Sequence, residues 1–141
     1  MQQPCLDEQR VITPHPAEAA SLLQTTVEEI EADRYKSVKA LHNKYGGVVV
    51  LKGAGTLVCD GKQTYVCLAG NPGMASAGMG DILTGVITSF IAQGVELVEA
   101  VKLGVLIHGM AADQNAKAFG ERGLLASDLL PHLRSLVNWS I

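Results

Sequence analysis

The segment Asn71-Pro-Gly-Met-Ala-Ser-Ala-Gly-Met-Gly-Asp81 runs directly into a strongly amphipathic stretch and combines the residues best suited to chemistry in this chain. Gly78 and Gly80 have no side chain to keep a ligand from the backbone. The first N–H groups of a helix lack intrahelical partners and carry the positive end of its macrodipole. A helix starting here therefore predicts an anion site suited to phosphate. Asp81 is the unexpected member, because a carboxylate repels phosphate unless it has a task. It could accept a proton from a hydroxyl attacking the phosphate, or help hold a magnesium ion. The plain structural alternative is a carboxylate that only complements the helix dipole, and this motif alone leaves both open. It is not a dinucleotide fingerprint, since the third glycine would fall at Leu83. Nor is it a Walker loop: the one Gly-Lys pair, Gly61-Lys62, is followed by Gln63.

A second candidate is Lys52-Gly-Ala-Gly-Thr56, at the end of the apolar run Val48–Leu51. Ligands of open α/β sheets bind beyond the carboxyl ends of strands. There Lys52 offers a charge for phosphate, Gly53, Ala54 and Gly55 offer backbone, and Thr56 adds a hydroxyl. A plain turn with a solvated lysine is the competing reading. The third candidate is Thr13-Pro-His-Pro-Ala-Glu18, where two prolines hold His15 on a stiff loop. With no third ligand nearby, a substrate-contacting loop is favoured over a metal site, and no protein metal ligand is assigned. His42 and His132 are expected to be solvated, and His108 to be a satisfied core histidine.

These motifs need elements to position them. Arg10–Thr13 reads as a short strand stopped by prolines, and Pro16 can open a helix reaching Leu23. Thr26-Val-Glu-Glu29 reads as a capping box, with a helical stripe through Val27, Ile30, Val38, Leu41 and Tyr45, ended by Gly46-Gly47. Val48–Leu51 should be a strand buried on both faces, as in a parallel sheet. Asp60-Gly61 predicts a hairpin between 56–59 and 63–68. Met79 to Gln93 is an amphipathic helix with a stripe of Met79, Ile82, Leu83, Val86, Ile87, Phe90 and Ile91. Leu97 to Phe119 should be a buried helix. Ser127 could cap a last helix with a stripe of Leu129, Leu130, Leu133, Leu136 and Val137, and Pro131 confined to its first turn. The mixture is that of an α/β layered domain.

With 141 residues, 48% hydrophobic but only 4% aromatic, the chain supports one domain with an aliphatic core. A net charge of −3 gives no reason to expect a nucleic-acid partner. No apolar leader is seen in Met1–Leu6 and no stretch is long enough for a membrane span, so a cytoplasmic protein is expected. Cys5, Cys59 and Cys67 are an odd number without metal-ligand spacing and read as free thiols; in the predicted hairpin Cys59 and Cys67 are not opposite.

Taken in order, Thr13–Glu18, Leu51–Thr56, Asn71–Ala75 and Gly78–Asp81 resemble the C-terminal half of the NAD(P)H-hydrate dehydratases, a carbohydrate-kinase-like family of the ribokinase-like superfamily. The likeness continues through Leu106-Ile-His-Gly109 and Leu124-Leu-Ala-Ser-Asp128 and so covers nearly the whole chain. It implies a three-layer ribokinase-like α/β fold, here its C-terminal half: parallel strands, a β-hairpin and flanking helices. It also implies a hydro-lyase reaction, in which hydrated NADH or NADPH is restored at the expense of ADP or ATP. The hydrate hydroxyl would attack the terminal phosphoryl group, and the phosphorylated carbinol would eliminate. On that likeness Asp81 is the base and touches the hydrate, together with His15. Lys52, Gly53, Ala54, Gly55, Thr56, Asn71, Gly78 and Gly80 serve the nucleotide, with Mg2+ held mainly by phosphates.

Two departures stand out. Ala77 occupies a position commonly glycine in the family, and the chain reaches the His15 loop soon after Met1. Residues 1–141 are thus expected to be a partial domain whose N-terminal half is absent. The unpaired apolar sheet edge would then drive homo-oligomerisation or pairing with that missing half. Two competing functions remain: a small-molecule kinase on the same fold, or a nucleotide-binding remnant without turnover.

Overall fold

The structure, a computed structural model, describes residues 7–138; Cys5 and the leader reading of Met1–Leu6 lie outside them. The described chain separates into two compact units, with a boundary between Cys67 and Leu68.

The first unit is built on a four-stranded sheet ordered β1 (Val11–Ile12), β2 (Val48–Leu51), β3 (Thr56–Cys59), β4 (Thr64–Cys67). β1 runs parallel to β2, whereas β2–β3 and β3–β4 are antiparallel, so the sheet is mixed rather than parallel throughout. Backbone bonds from Val48 N–H to Arg10 O and from Lys52 N–H to Pro14 O flank the short parallel pair. The paired glycines make this approach possible. Gly47 has φ +63°, and a Cβ there would lie 2.0 Å from the Arg10 carbonyl oxygen. All four residues of β2 are buried, as the unbroken β-branched run predicts. Val49, Leu51, Leu57 and Cys59 form a core with Ala19, Ala20, Ile30, Val38 and Leu41 from three helices. Those helices are α1 (Pro16–Leu23), α2 (Val27–Ala32) and α3 (Arg34–Tyr45).

The single stripe expected over Val27–Tyr45 is in fact two helices. Asp33 leaves helical geometry and its carboxylate accepts the Lys36 N–H at 2.9 Å, restarting the chain as α3. Val27 is correspondingly exposed. Thr26 Oγ1 accepts the Glu29 N–H as expected; the reciprocal capping box forms one helix earlier, between His15 and Glu18. The hairpin register pairs Thr56 with Cys67 and Cys59 with Thr64, so the two thiols are not opposite and both are free. His42 is not simply solvated: its Nδ1 lies 2.9 Å from the Gly47 carbonyl oxygen.

The second unit is helical, with α4 (Met79–Ala92), α5 (Leu97–Phe119) and α6 (Leu129–Val137). Short 3-10 turns at Pro72–Met74 and Ala126–Asp128 precede α4 and α6. Met79, Ile107, Ala111, Ala112, Leu124, Leu129 and Leu133 make its core. α5 is not buried all round, as had been expected. Leu103, Leu106 and Met110, at helical spacing, stay 37–44% exposed. The apolar stripes are also narrower than the sequence implies, because Ile91, Leu130 and Val137 are exposed. Ser127 does not cap α6. It lies inside the 3-10 turn, where Asp128 Oδ2 accepts the Leu125 N–H at 2.9 Å. His108 is buried, as expected, and His132 Nε2 is 3.4 Å from the Asn115 amide rather than free in solvent. No helix among the described residues is long and apolar enough to cross a membrane.

Candidate functional site

In the first unit two of the sequence motifs meet. His15 is the N-cap of α1: its Nδ1 accepts the Glu18 N–H (3.3 Å), and its own N–H donates to Glu18 Oε2 (2.7 Å). That bond places the ring proton of neutral His15 on Nε2, which lies 3.4 Å from Glu18 Oε1. Lys52 Nζ reaches the same carboxylate, 3.7 Å from Oε2, so the Thr13–Glu18 loop and the end of β2 are tied by a charge pair. Burial pushes the Glu18 pKa up, but the His15 backbone N–H and the nearby Lys52 and His15 outweigh it and hold the carboxyl below its ordinary range.

The Lys52–Thr56 loop is braced by a residue that sequence reasoning missed. Arg34, the first residue of α3, sends Nη1 to the carbonyls of Ala54 (2.5 Å) and Gly55 (3.2 Å). Its Nη2 reaches Leu51 O and Lys52 O, each at 3.2 Å. The Thr56 hydroxyl donates to Gly53 O at 3.1 Å. No periodicity marks Arg34, which reads in sequence as one more charged residue after a helix break.

In the second unit, Gly78 opens α4 in a left-handed conformation without any side-chain cap. The Ile82 N–H bonds to Gly78 O, and the Thr84 hydroxyl returns to Gly80 O at 3.0 Å. The helix start is thus glycine-lined and uncapped by side chains, as an anion site requires. Asp81 stands in its first turn with an exposed side chain, not in the packed interior. Asn71 is engaged by its own loop. Its Oδ1 accepts the Gly73 N–H (3.1 Å) and its Nδ2 donates to Asp113 Oδ1 (2.9 Å), so both ends of its amide hold the loop. Asp113 Oδ2 also takes the Gly70 N–H at 2.8 Å. Asp113 was missed as well, although a signal existed: it is the one carboxylate of α5 beyond the first turn. One turn earlier, Gly109 lets the helix lie against Ala69, whose carbonyl carbon and oxygen would be 2.7 Å from an added Cβ.

A separate cleft of about 230 Å3, lined by Asn115, Phe119, Arg122, Leu124 and Asp128 among others, contains none of the assigned residues. Among the described residues no cluster of three or more His, Cys, Asp or Glu could hold a metal ion. One exposed hard donor, Asp81, is compatible with a magnesium ion whose other ligands are phosphate oxygens and water.

Comparison with known proteins places the chain among relatives of one kind. Residues 1–134 match the family described as NAD(P)H-hydrate dehydratase (Carb_kinase). A bifunctional NAD(P)H-hydrate repair enzyme of Vibrio cholerae is 64% identical over 135 residues, covering 96% of this chain and 27% of that protein. An ADP-dependent (S)-NAD(P)H-hydrate dehydratase of Neisseria meningitidis is 47% identical, with 91% of this chain and 44% of the relative covered. Among solved structures, an ADP/ATP-dependent NAD(P)H-hydrate dehydratase from Bacillus subtilis, co-crystallized with ATP/Mg2+, superposes with a TM-score of 0.85 at 28% identity. That match covers 90% of this chain and 46% of the other. The chain therefore spans about a quarter of the bifunctional relative and under half of the dehydratases. A ribokinase-like superfamily protein of Enterococcus faecalis, at 28% identity and TM-score 0.75, shares the α/β architecture. The chain belongs to the NAD(P)H-hydrate dehydratase family.

Proposed function

We propose that this chain carries the nucleotide-binding and base-bearing part of an ADP- or ATP-dependent NAD(P)H-hydrate dehydratase. The carrying observation is Asp81, exposed in the first turn of a helix whose glycine start no side chain caps. The hydrate hydroxyl attacks the terminal phosphorus of the nucleotide while the Asp81 carboxylate accepts its proton. The P–O bond to the leaving nucleotide breaks. The carbinol phosphate then loses phosphate, and a ring proton leaves, which restores the nicotinamide double bond. Magnesium, when bound, would neutralise charge on the nucleotide phosphates, which would supply its main ligands and leave Asp81 for the proton.

Lys52–Thr56, Gly78 and Gly80 are assigned to the nucleotide and His15, through its Nε2–H, to the hydrate. Asn71 is assigned a supporting role in the adjoining loop. The share of the relatives covered supports reading residues 1–141 as part of a larger domain. The complementary part would then be a second copy of this chain or a segment matching the part of the relatives that this chain does not span, and a cytoplasmic location fits the substrate.

The test mixes the chain with NADH hydrate and ADP or ATP and follows the return of NADH absorbance. Asp81→Asn should lower the rate by about 10²–10⁴-fold while leaving nucleotide binding nearly intact. Full activity in that variant would remove Asp81 from the role of base. Nucleotide binding without turnover in the native chain would favour the remnant reading.

A further inference from the structure

Every backbone carbonyl from Leu51 to Gly55 is held by one of two side chains, Arg34 for four of them and Thr56 for the fifth. Peptide bonds here are trans, so each carbonyl and the following N–H lie in one plane and point in opposite directions across the C–N bond. Carbonyls of Lys52 and Ala54 turned onto Arg34 therefore leave the N–H groups of Gly53 and Gly55 directed away from it. The four Nη hydrogens of Arg34 match four acceptors, and the Arg34 side chain is only 16% exposed, so it has no Nη donor left for a phosphate.

We infer that Arg34 is the positioning residue of the nucleotide loop: it gathers the loop's carbonyl oxygens so that the Gly53 and Gly55 N–H groups face the nucleotide phosphates. This rests on the nucleotide reading above. Carbonyl oxygens facing a phosphate would repel it; a guanidinium behind the loop removes that repulsion and fixes the N–H directions before the ligand arrives. Lysine cannot reproduce it, because an ammonium has three donors and no planar fork. Thr56 completes the set: its hydroxyl proton goes to the loop rather than to the ligand.

The experiment is an ADP titration of the full chain followed by amide NMR and calorimetry, on native protein, Arg34→Met, Arg34→Lys and Thr56→Val, with thermal midpoints recorded alongside. Expected are amide shifts at Gly53 and Gly55 in the native protein, affinity at least tenfold weaker in Arg34→Met, and a smaller loss in Thr56→Val. Arg34→Lys should stay close to Arg34→Met in affinity, even where its thermal midpoint is restored. Should Arg34→Met fail to fold, Arg34→Lys and Thr56→Val decide the matter. Native affinity in the folded Arg34 variants, or ADP bound without shifts at the two glycines, overturns the inference and leaves the nucleotide reading standing. If the native chain binds neither ADP nor ATP, the reading and the inference fall together.

Discussion

The two motif-bearing loops are braced by side chains of opposite charge. In the first unit a cation, Arg34, collects carbonyl oxygens from the Leu51–Gly55 segment. In the second an anion, Asp113, collects the Gly70 backbone N–H and the Asn71 side-chain Nδ2–H. A brace that takes carbonyls leaves N–H groups for an anionic ligand; one that takes N–H groups leaves the loop less able to bind one. The polarity of the brace thus separates the loop proposed to meet phosphate from the loop that Asp113 holds. The close approaches differ too. A Cβ on Gly109 would strike the backbone of Ala69, whereas one on Gly53 would meet the tip of the Arg34 side chain at 2.8 Å.

The largest effect should follow Gly109→Ala. Backbone cannot step aside as a side chain can, so overpacking of about 2–3 kcal/mol is expected in urea unfolding. A loss below about 0.5 kcal/mol would mean that α5 and Ala69 are not in close contact. Asp113→Ala comes next, at about 2 kcal/mol, because it strands two half-buried donors. Asp113→Asn, which keeps one acceptor, should recover part of that. Gly53→Ala is smaller for global stability, about 1 kcal/mol, since Arg34 can move but the glycine sits at φ +144°. Its main consequence should be weaker ADP binding, and unchanged ADP affinity would argue against a loop set by Arg34.

Much of this was legible beforehand, for definite reasons. Val48–Leu51 has no polar residue in its period, so its burial followed from composition; Asp60-Gly61 placed the hairpin; and the Met79–Ala92 periodicity placed α4 with Asp81 in its first turn. The braces were not legible, because Arg34 and Asp113 act on groups 17–21 and 42–43 residues away and no local pattern encodes such a pairing. The turns were misread where a short polar side chain had several backbone partners within reach. Asp33 rather than a continuous stripe set the start of α3, and Asp128 rather than Ser127 closed the turn before α6. Asn71 shows the same limit, since an amide can serve a ligand or its own loop and sequence does not distinguish them.

The smallest effect concerns Glu18, which sits beside the Arg34-braced loop as a counter-charge to Lys52. Its folded-state carboxyl titrates below its unfolded value despite the burial that raises it, held there by the His15 N–H, Lys52 and His15. A lowered folded pKa contributes stability that is complete above the unfolded value, about 4.3, and is lost as pH falls through the folded one. With half the side chain exposed, solvent screening limits this to roughly a few tenths of a kcal/mol. Glu18→Gln should therefore flatten part of the stability loss between about pH 5 and 3. The Asp60 contribution stays in both proteins, since its pKa, raised by burial, is lowered further by the Gln63 and Lys62 N–H groups. At pH 7 the same variant releases the Lys52 ammonium from its carboxylate. If Lys52 serves phosphate, ADP affinity should rise up to a few-fold at low salt and the gain should fade as salt is added. An affinity that does not change, or that falls, would mean that Lys52 ties the two loops together and that the loop N–H groups alone meet the nucleotide.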